Sequence, residues 1–165
     1  MGEDKPKRLA IIALHGTLDM AYPPLILAST AIAMDMEAAI FFTFYGLDII
    51  NKTKNHNLQV PPLANPAMPY PVPGIPIGVP NIIGVLPGMT AMATMMMKGW
   101  MGKAGVMTVD KLLSACIKGG VRMIGCQMTM DVMGVKKEDL MDGVEIGGAG
   151  TFIDYAADAD ITLSF

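Results

Sequence analysis

The chain has 165 residues, a formal net charge of −3 and a mean hydropathy of +0.45. A length near that of one ordinary domain predicts a single hydrophobic core with at most one excursion. The slight acidic excess argues against a nucleic-acid-binding protein, because such proteins cluster Lys and Arg on one face. The chain opens on a short charged stretch and a strand-like run rather than on a signal peptide, so we expect a cytoplasmic protein.

The candidates for chemistry are few. The two cysteines of a domain this size do not make a disulfide framework. His15 and His56 are far apart in the chain and show no metal-ligand spacing, so we expect neither a metal nor another cofactor. Any covalent chemistry therefore falls on the thiols of Cys116 and Cys126.

Two apolar runs near the start predict buried strands, at residues 8–14 and 38–44. Between them a helix is predicted from Met20 to Asp35, where Pro23 and Pro24 are compatible only with the first turn. Strand, helix and strand over this length form a right-handed βαβ unit with parallel strands. The sequence therefore predicts an α/β fold.

A long uncharged segment follows. From Asn57 to Met97 there is no Asp, Glu, Lys or Arg, and this insert holds nine of the twelve prolines. The prolines exclude a regular helix or central strand over Val60 to Pro80, which we predict to be an extended loop. The third strand is predicted at Asn81 to Leu86 and a Met-rich helix at Thr90 to Trp100.

The role of this insert has two interpretations. Prolines interrupt every window of about twenty apolar residues that a transmembrane helix needs, so we reject a spanning segment. An uncharged apolar segment is more often a subunit interface or a flap on its own domain. Contact with a membrane surface is the alternative, although an interfacial helix normally carries Lys or Arg on its polar face.

The C-terminal part again alternates helix and strand. Thr108 is predicted to cap a helix from Val109 to Ile117, whose apolar stripe includes Cys116. The remaining predicted elements are a strand at 121–125, a polar turn or short helix at 135–142, a glycine-rich turn at 147–150 leading into a helix through Ala157, and a last strand at 160–164.

Cys126 is the strongest candidate for chemistry, because it follows the apolar run Val121–Gly125 and directly precedes a Met-rich helical pattern. Alternation along the strand places Arg122, Ile124 and Cys126 on one face. A helix that begins at Gln127 directs free N–H groups and its dipole at the sulfur, and both favour a thiolate. The alternative is that Cys126 is a small buried hydrophobe, as free cysteines often are.

Other residues are predicted to lie near this thiol. His15 and Asp19 follow the first strand, and the carboxyl ends of parallel strands share one edge of a sheet. We expect His15, Asp19 and Gln127 to support Cys126, with His15 orienting or deprotonating the thiol, unless His15 is only a loop residue bonded to the backbone. Cys116 is expected to be structural, because about 16 Å of strand separates the two thiols and a disulfide is excluded at that distance.

Four stretches resemble the DsrE/DsrF-like family of sulfur-transfer proteins, in particular the subgroup with an enlarged Pro/Met-rich loop that is often labelled peroxiredoxin-like. They are Leu18–Tyr22, Phe41–Leu47, Cys126–Gly134 and Gly147–Phe165, and the third is the most specific. The resemblance implies one three-layer α/β/α domain over residues 1–165 with a five-stranded, largely parallel sheet and the insert at about 57–97. It also implies a homo-oligomer.

The same resemblance implies a function. Cys126 would hold sulfane sulfur as a persulfide or thiosulfonate and pass it to a partner thiol, as a sulfur carrier or sulfurtransferase. The partners would be donor and acceptor proteins or small sulfane-sulfur compounds. The alternative is a non-catalytic binding or assembly module that uses the Met/Pro-rich insert, in which Cys126 only fills space.

Overall fold

The computed structural model describes residues 5–61 and 84–165, and the chain divides into two compact units. The first unit takes the residues up to Leu58 and those from Thr108 onward, and the second takes Gln59–Met107. None of the helices in the described ranges is long and apolar enough to cross a membrane.

Strands and helices alternate along the first unit. In chain order the elements are β1 Arg8–Ala13, α1 Leu18–Ala33, β2 Glu37–Phe42, α2 Met89–Lys103, α3 Val109–Lys118, β3 Arg122–Cys126, α4 Gln127–Met133, β4 Val144–Gly147, α5 Ala149–Ala157 and β5 Ile161–Ser164. Of these elements, α2 belongs to the second unit. Short 3-10 turns occur at Phe44–Asp48, Asn55–Asn57 and Lys137–Asp139.

The five strands form one parallel sheet in the order β4-β3-β2-β1-β5. Helices α1 and α3 pack against each other, and α1 covers β1 and β2. Helix α5 lies on the other face, because the chain reverses its direction across the sheet between β4 and β5 and right-handed crossovers then change face. The predicted three-layer α/β/α fold with a five-stranded sheet is confirmed.

The face covered by α5 contains the candidate cysteine. Ala10, Phe41, Ile124, Cys126 and Phe152 form one buried cluster there. The rings of Phe41 and Phe152 stack with their centroids 5.2 Å apart, so α5 is attached to the sheet by an aromatic pair. Ile124 and Cys126 share this face, as strand alternation predicts.

The first helix begins earlier than predicted. It starts at Leu18, after Thr17 at the N-cap position, so Pro23 and Pro24 lie in its second turn rather than its first. Two prolines there leave two carbonyl groups of the first turn without their helical N–H partners. Burial of Pro24 in the core offsets that loss, because an apolar ring leaves water.

The predicted third strand is wrong where it can be compared. Asn81–Ile83 and most of the predicted extended loop Val60–Pro80 lie outside the described residues, but Gly84, Val85 and Leu86 are not in a strand. The missing member of the sheet is instead β4, at residues 144–147. Its four residues, three half-buried and the last buried, lie at a sheet edge and give too short an alternation for a sequence pattern.

The other predicted elements are found near their expected positions. The Met-rich helix is α2, the helix containing Cys116 is α3, and the glycine-rich turn leads into α5. Thr108 occupies the N-cap position of α3, although its side chain makes no capping hydrogen bond there. The polar segment before β4 contains a single 3-10 turn.

Candidate functional site

Cys126 is the last residue of β3 and occupies the N-cap position of α4. Its residue surface is only 4% exposed, and its register partner on β4 is Gly147. A side chain at position 147 would press on Ile124, because a Cβ atom there would lie 2.9 Å from Ile124 Cγ2. The glycine therefore lets β4 approach the strand that carries the thiol.

The electrostatic environment of Cys126 favours the charged form. Burial raises the pKa of this thiol, but neighbouring hydrogen-bond donors outweigh burial and leave the pKa below its ordinary value. The donors are the backbone N–H groups of Thr129 and Met128 and the hydroxyls of Thr129 and Thr43, of which one at a time has a proton for the sulfur. These donors favour the thiolate, whose negative charge they stabilise.

The site thus includes two threonines that were not predicted from the sequence. Thr43 follows β2 and Thr129 is the third residue of α4, and their Oγ1 atoms lie 3.0 Å apart. Both residues are buried, and the backbone N–H of Phe44 donates to Thr129 Oγ1 at 3.3 Å. The available signal was spacing, because a residue three places after an N-cap reaches back to the capping side chain.

Two glycines allow the turn after Thr43 to pack closely against the loop after β1. A Cβ atom on Gly46 would lie 2.1 Å from the carbonyl oxygen of Ala13, and one on Gly16 would lie 2.2 Å from that of Tyr45. Neither position accepts a side chain without displacing backbone. The turn after β2 is therefore packed directly on the loop after β1, which fixes the direction of the Phe44 N–H.

The predicted supporting residues lie at the expected edge of the sheet. His15 is exposed in the loop after β1, and Asp19 lies in the first turn of α1. Gln127 is exposed and donates its side-chain amide to Asp131 at 2.7 Å. Among the described residues no hydrogen bond joins any of the three to Cys126, so their supporting role stays a prediction.

Asp19 has one unusual feature. Its Oδ1 atom is buried and has no hydrogen-bond partner within the described part of the chain. A buried carboxylate oxygen without a donor is costly, because the group loses its hydration. This atom belongs to the loop and first turn at the carboxyl end of β1, on the edge of the sheet where β3 also ends.

Cys116 has the opposite environment. Its thiol is buried in α3 and donates to the carbonyl oxygen of Leu25 in α1 at 3.3 Å. Burial raises its pKa to about 11. Both cysteines are free: Cys116 lies between α1 and α3, whereas Cys126 packs under α5 on the other face of the sheet. The structural role of Cys116 stays a prediction, and its buried environment suits that role.

Apolar side chains surround the end of the sheet where the thiol lies. Four of these side chains are exposed, and we call them the apolar rim: Phe44, Tyr45, Met128 and Val132. The first two belong to the turn after β2 and the other two to α4. Within the described ranges, no group of three or more His, Cys, Asp or Glu residues is placed to hold a metal ion.

Comparison with known proteins relates this geometry to a family. The model of the DsrE/DsrF/DrsH-like family matches residues 5–164. The "Sulfur carrier protein DsrE2" of Allochromatium vinosum is 48% identical over 157 residues, covering 95% of this chain and 97% of that protein. The uncharacterised protein YrkE of Bacillus subtilis is 26% identical over 163 residues, covering 97% of this chain and 98% of that protein.

A solved structure supports the same fold. The ychN protein from E. coli has a TM-score of 0.58 to this chain and is 15% identical to it. The match covers 98% of this chain and 100% of that one. At this identity the likeness bears on the fold alone.

Proposed function

This chain belongs to the DsrE/DsrF/DrsH-like family, and from that premise we propose that it is a sulfur carrier that holds sulfane sulfur on Cys126. The observation that carries the proposal is the position of Cys126 at the end of β3 and the N-cap of α4, where hydroxyl and N–H donors lower the pKa of its thiol against the effect of burial. The name of the relative from Allochromatium vinosum supports the carrier role.

The loading step uses the thiolate as the nucleophile. Cys126 Sγ attacks a sulfane sulfur of a polysulfide or of tetrathionate, a new S–S bond forms, and the donor's S–S bond breaks with its electron pair on the departing sulfur. A polysulfide leaves a persulfide on Cys126, whereas tetrathionate leaves a thiosulfonate and releases thiosulfate. Neither route needs a cofactor, because each exchanges one S–S bond for another.

The transfer step is the same exchange in the other direction. A partner thiolate attacks the outer sulfur, and the bond to Sγ breaks with its electrons on Cys126. The apolar rim offers a surface on which a partner protein would exclude water around the exchanging sulfurs. The proposal places the carrier in the cytoplasm, where partner thiols remain reduced.

A second candidate function has the same fold but involves no sulfur transfer at Cys126. In α2 the side chains of Met92, Met95 and Trp100 are exposed, and exposed apolar groups on one helix are typical of a surface that binds another molecule. The protein would then be a binding or assembly module, at a membrane surface or between subunits. Slow alkylation of Cys126 by iodoacetamide at neutral pH would favour this candidate, and fast alkylation favours the carrier.

The carrier proposal is tested by mass spectrometry of the intact protein after incubation with polysulfide, thiosulfate or tetrathionate. We expect an adduct of about 32 Da for a persulfide or about 112 Da for a thiosulfonate, located on the tryptic peptide that contains Cys126. Cys126→Ser should abolish loading, because a serine hydroxyl is a poor nucleophile toward sulfur, and should leave the fold intact.

Cys116→Ser is the matched control. It removes the other thiol, which is buried with a raised pKa, and should load like the wild type. If Cys126→Ser still acquires the adduct while Cys116→Ser does not, the assignment of the carrier residue is wrong. If none of the three reagents modifies the folded wild type, the carrier function itself fails.

A further inference from the structure

The two buried threonine hydroxyls beside Cys126 have a limited number of protons to share. The Oγ1 atoms of Thr43 and Thr129 lie 3.0 Å apart, and either atom can donate to the other. Each hydroxyl has one proton and two lone pairs. One of the two protons lies between the oxygens, so only one remains for the sulfur.

Phe44 sets the direction of this small network. Its backbone N–H donates to Thr129 Oγ1 and cannot reverse, so it occupies one of the two lone pairs on that oxygen permanently. Thr129 is left with one lone pair and one proton to divide between Thr43 and Cys126. The positive φ of Phe44, 48°, and the close contact of Gly46 with the backbone of Ala13 hold the N–H in this direction.

We propose that Thr129 is a positioning residue whose hydroxyl donates to the Cys126 thiolate and turns toward Thr43 when the sulfur carries a proton. In the thiolate form Thr43 donates to Thr129, and Thr129 donates to Sγ, which is only an acceptor. In the thiol form S–H donates to Thr129, Thr129 donates to Thr43, and the Thr43 proton is left for the sulfur as acceptor. Both forms leave every proton of the network with an acceptor, so the buried site tolerates both charges.

The consequence concerns the release of sulfur, and it rests on the proposed function. In the transfer step an acceptor thiolate attacks the outer sulfur of the Cys126 persulfide, and the S–S bond breaks with its electron pair on Sγ. The proton of the persulfide stays on the outer sulfur, which leaves on the acceptor. Thr129 stabilises the charge that appears on Sγ, and thiols of lower pKa leave faster. The hydroxyl pair therefore accelerates unloading as well as loading.

The first experiment measures the alkylation rate of Cys126 by iodoacetamide from pH 5 to pH 10, read by mass spectrometry of the tryptic peptide between Arg122 and Lys136. Thr129→Val keeps the shape of the side chain and removes the hydroxyl. Its rate at pH 7 should fall by about tenfold, because a hydrogen bond to a charged group is lost. The plateau rate at high pH should be equal or higher, since thiols of higher pKa are more nucleophilic as thiolates.

Two further variants separate positioning from packing. Thr129→Ser restores the hydroxyl and should return the pH midpoint to the wild-type value. Thr94→Val removes another buried hydroxyl, which donates to Thr90 and accepts from Val60 in the second unit, and should leave the midpoint unchanged. A Thr129→Val profile with the wild-type midpoint, or a rate reduced equally at every pH, would overturn the proposal.

The second experiment follows release. Protein loaded with polysulfide is mixed with excess glutathione, and the loss of the adduct of about 32 Da is timed. Thr129→Val should unload several-fold more slowly than the wild type and Thr129→Ser at nearly the wild-type rate; equal rates for all three would remove Thr129 from the release step. Absence of loading in the wild type would contradict the carrier function, whereas the alkylation profile would still decide the role of Thr129.

Discussion

At the scale of single residues, the two cysteines show that hydrogen-bond donors decide the state of a thiol as much as burial does. Both residues are buried. At Cys116 burial outweighs the one backbone N–H that favours a thiolate, that of Ser29, and the carbonyl oxygen of Leu25 accepts the thiol proton. Cys126 meets hydroxyl and N–H donors, which favour the thiolate. The same residue type thus has a raised thiol pKa at one position and a lowered one at the other.

These opposite shifts predict opposite pH dependences of stability. The folded-state pKa of Cys116 is raised to about 11, so its stabilising contribution is complete below the pKa of the unfolded chain and is lost as pH rises through that of the fold. The folded-state pKa of Cys126 is lowered, so its contribution is present above the unfolded pKa and is lost as pH falls.

Urea unfolding of the wild type, Cys116→Ala and Cys126→Ala between pH 6 and pH 11 measures both effects. The stability advantage of the wild type over Cys116→Ala should shrink above about pH 9, the range in which an ordinary thiol ionises. Its advantage over Cys126→Ala should instead grow as pH rises from neutral. Parallel curves for the two variants would show that the two thiols do not differ in this way.

At the scale of elements, the turn at Phe44–Asp48 connects the loop after β1 with the thiol site. It follows β2, rests on the loop after β1 through Gly16 and Gly46, and presents Phe44 N–H to Thr129. The N–H of Gly46 also donates to the carbonyl oxygen of Leu14 at 3.0 Å. Three neighbouring strands therefore contribute to the geometry at Cys126.

Gly46→Ala should destabilise the protein by about 2–3 kcal/mol, because the new methyl group collides with a rigid carbonyl. It should also raise the pH midpoint for alkylation of Cys126, since the donors after β2 move. Gly150→Ala in α5 is the matched control, because its Cβ has open space. That change should stabilise the helix by about 0.5–1 kcal/mol.

Urea denaturation measures the change in the free energy of unfolding, and the alkylation profile measures the change in the pH midpoint of Cys126. A stable Gly46→Ala protein would show that the turn adapts to the methyl group. An unchanged midpoint in a destabilised variant would mean that the turn supports the fold without orienting the donors.

At the scale of the whole molecule, the candidate thiol site and most of the uncharged insert belong to different units. Cys126, Thr43 and Thr129 belong to the unit that contains the sheet, and α2 belongs to Gln59–Met107. The second unit has an internal hydrogen bond from Val60 N–H to the buried hydroxyl of Thr94 at 3.0 Å. It also exposes Met and Trp side chains on α2.

Replacing Gln59–Met107 by a short Gly/Ser linker should therefore leave the alkylation midpoint of Cys126 unchanged. If the insert lies between subunits, light scattering should report smaller or aggregating particles, because apolar surface of the interface is removed or uncovered. If particle size is unchanged and binding to liposomes is lost, the insert contacts membranes instead. A shifted midpoint would place part of the thiol environment in the deleted segment.

Much of the architecture follows from local patterns in the sequence. The apolar runs at β1, β2 and β3 are continuous because both faces of a parallel sheet are covered, and such runs can be recognised without any tertiary information. The helix containing Cys116 has a clear apolar stripe. The position of Cys126 between a strand and a helix also follows from the change in periodicity at that residue.

Tertiary structure decided the remaining features, because they depend on residues far apart in the chain. Thr43 and Thr129 are 86 positions apart and meet only when β2 and β3 become neighbours. The edge strand β4 is too short to carry a pattern and is defined by its pairing with β3. The sequence by itself determined which thiol stands at the end of a strand, and the sheet decided which donors surround it.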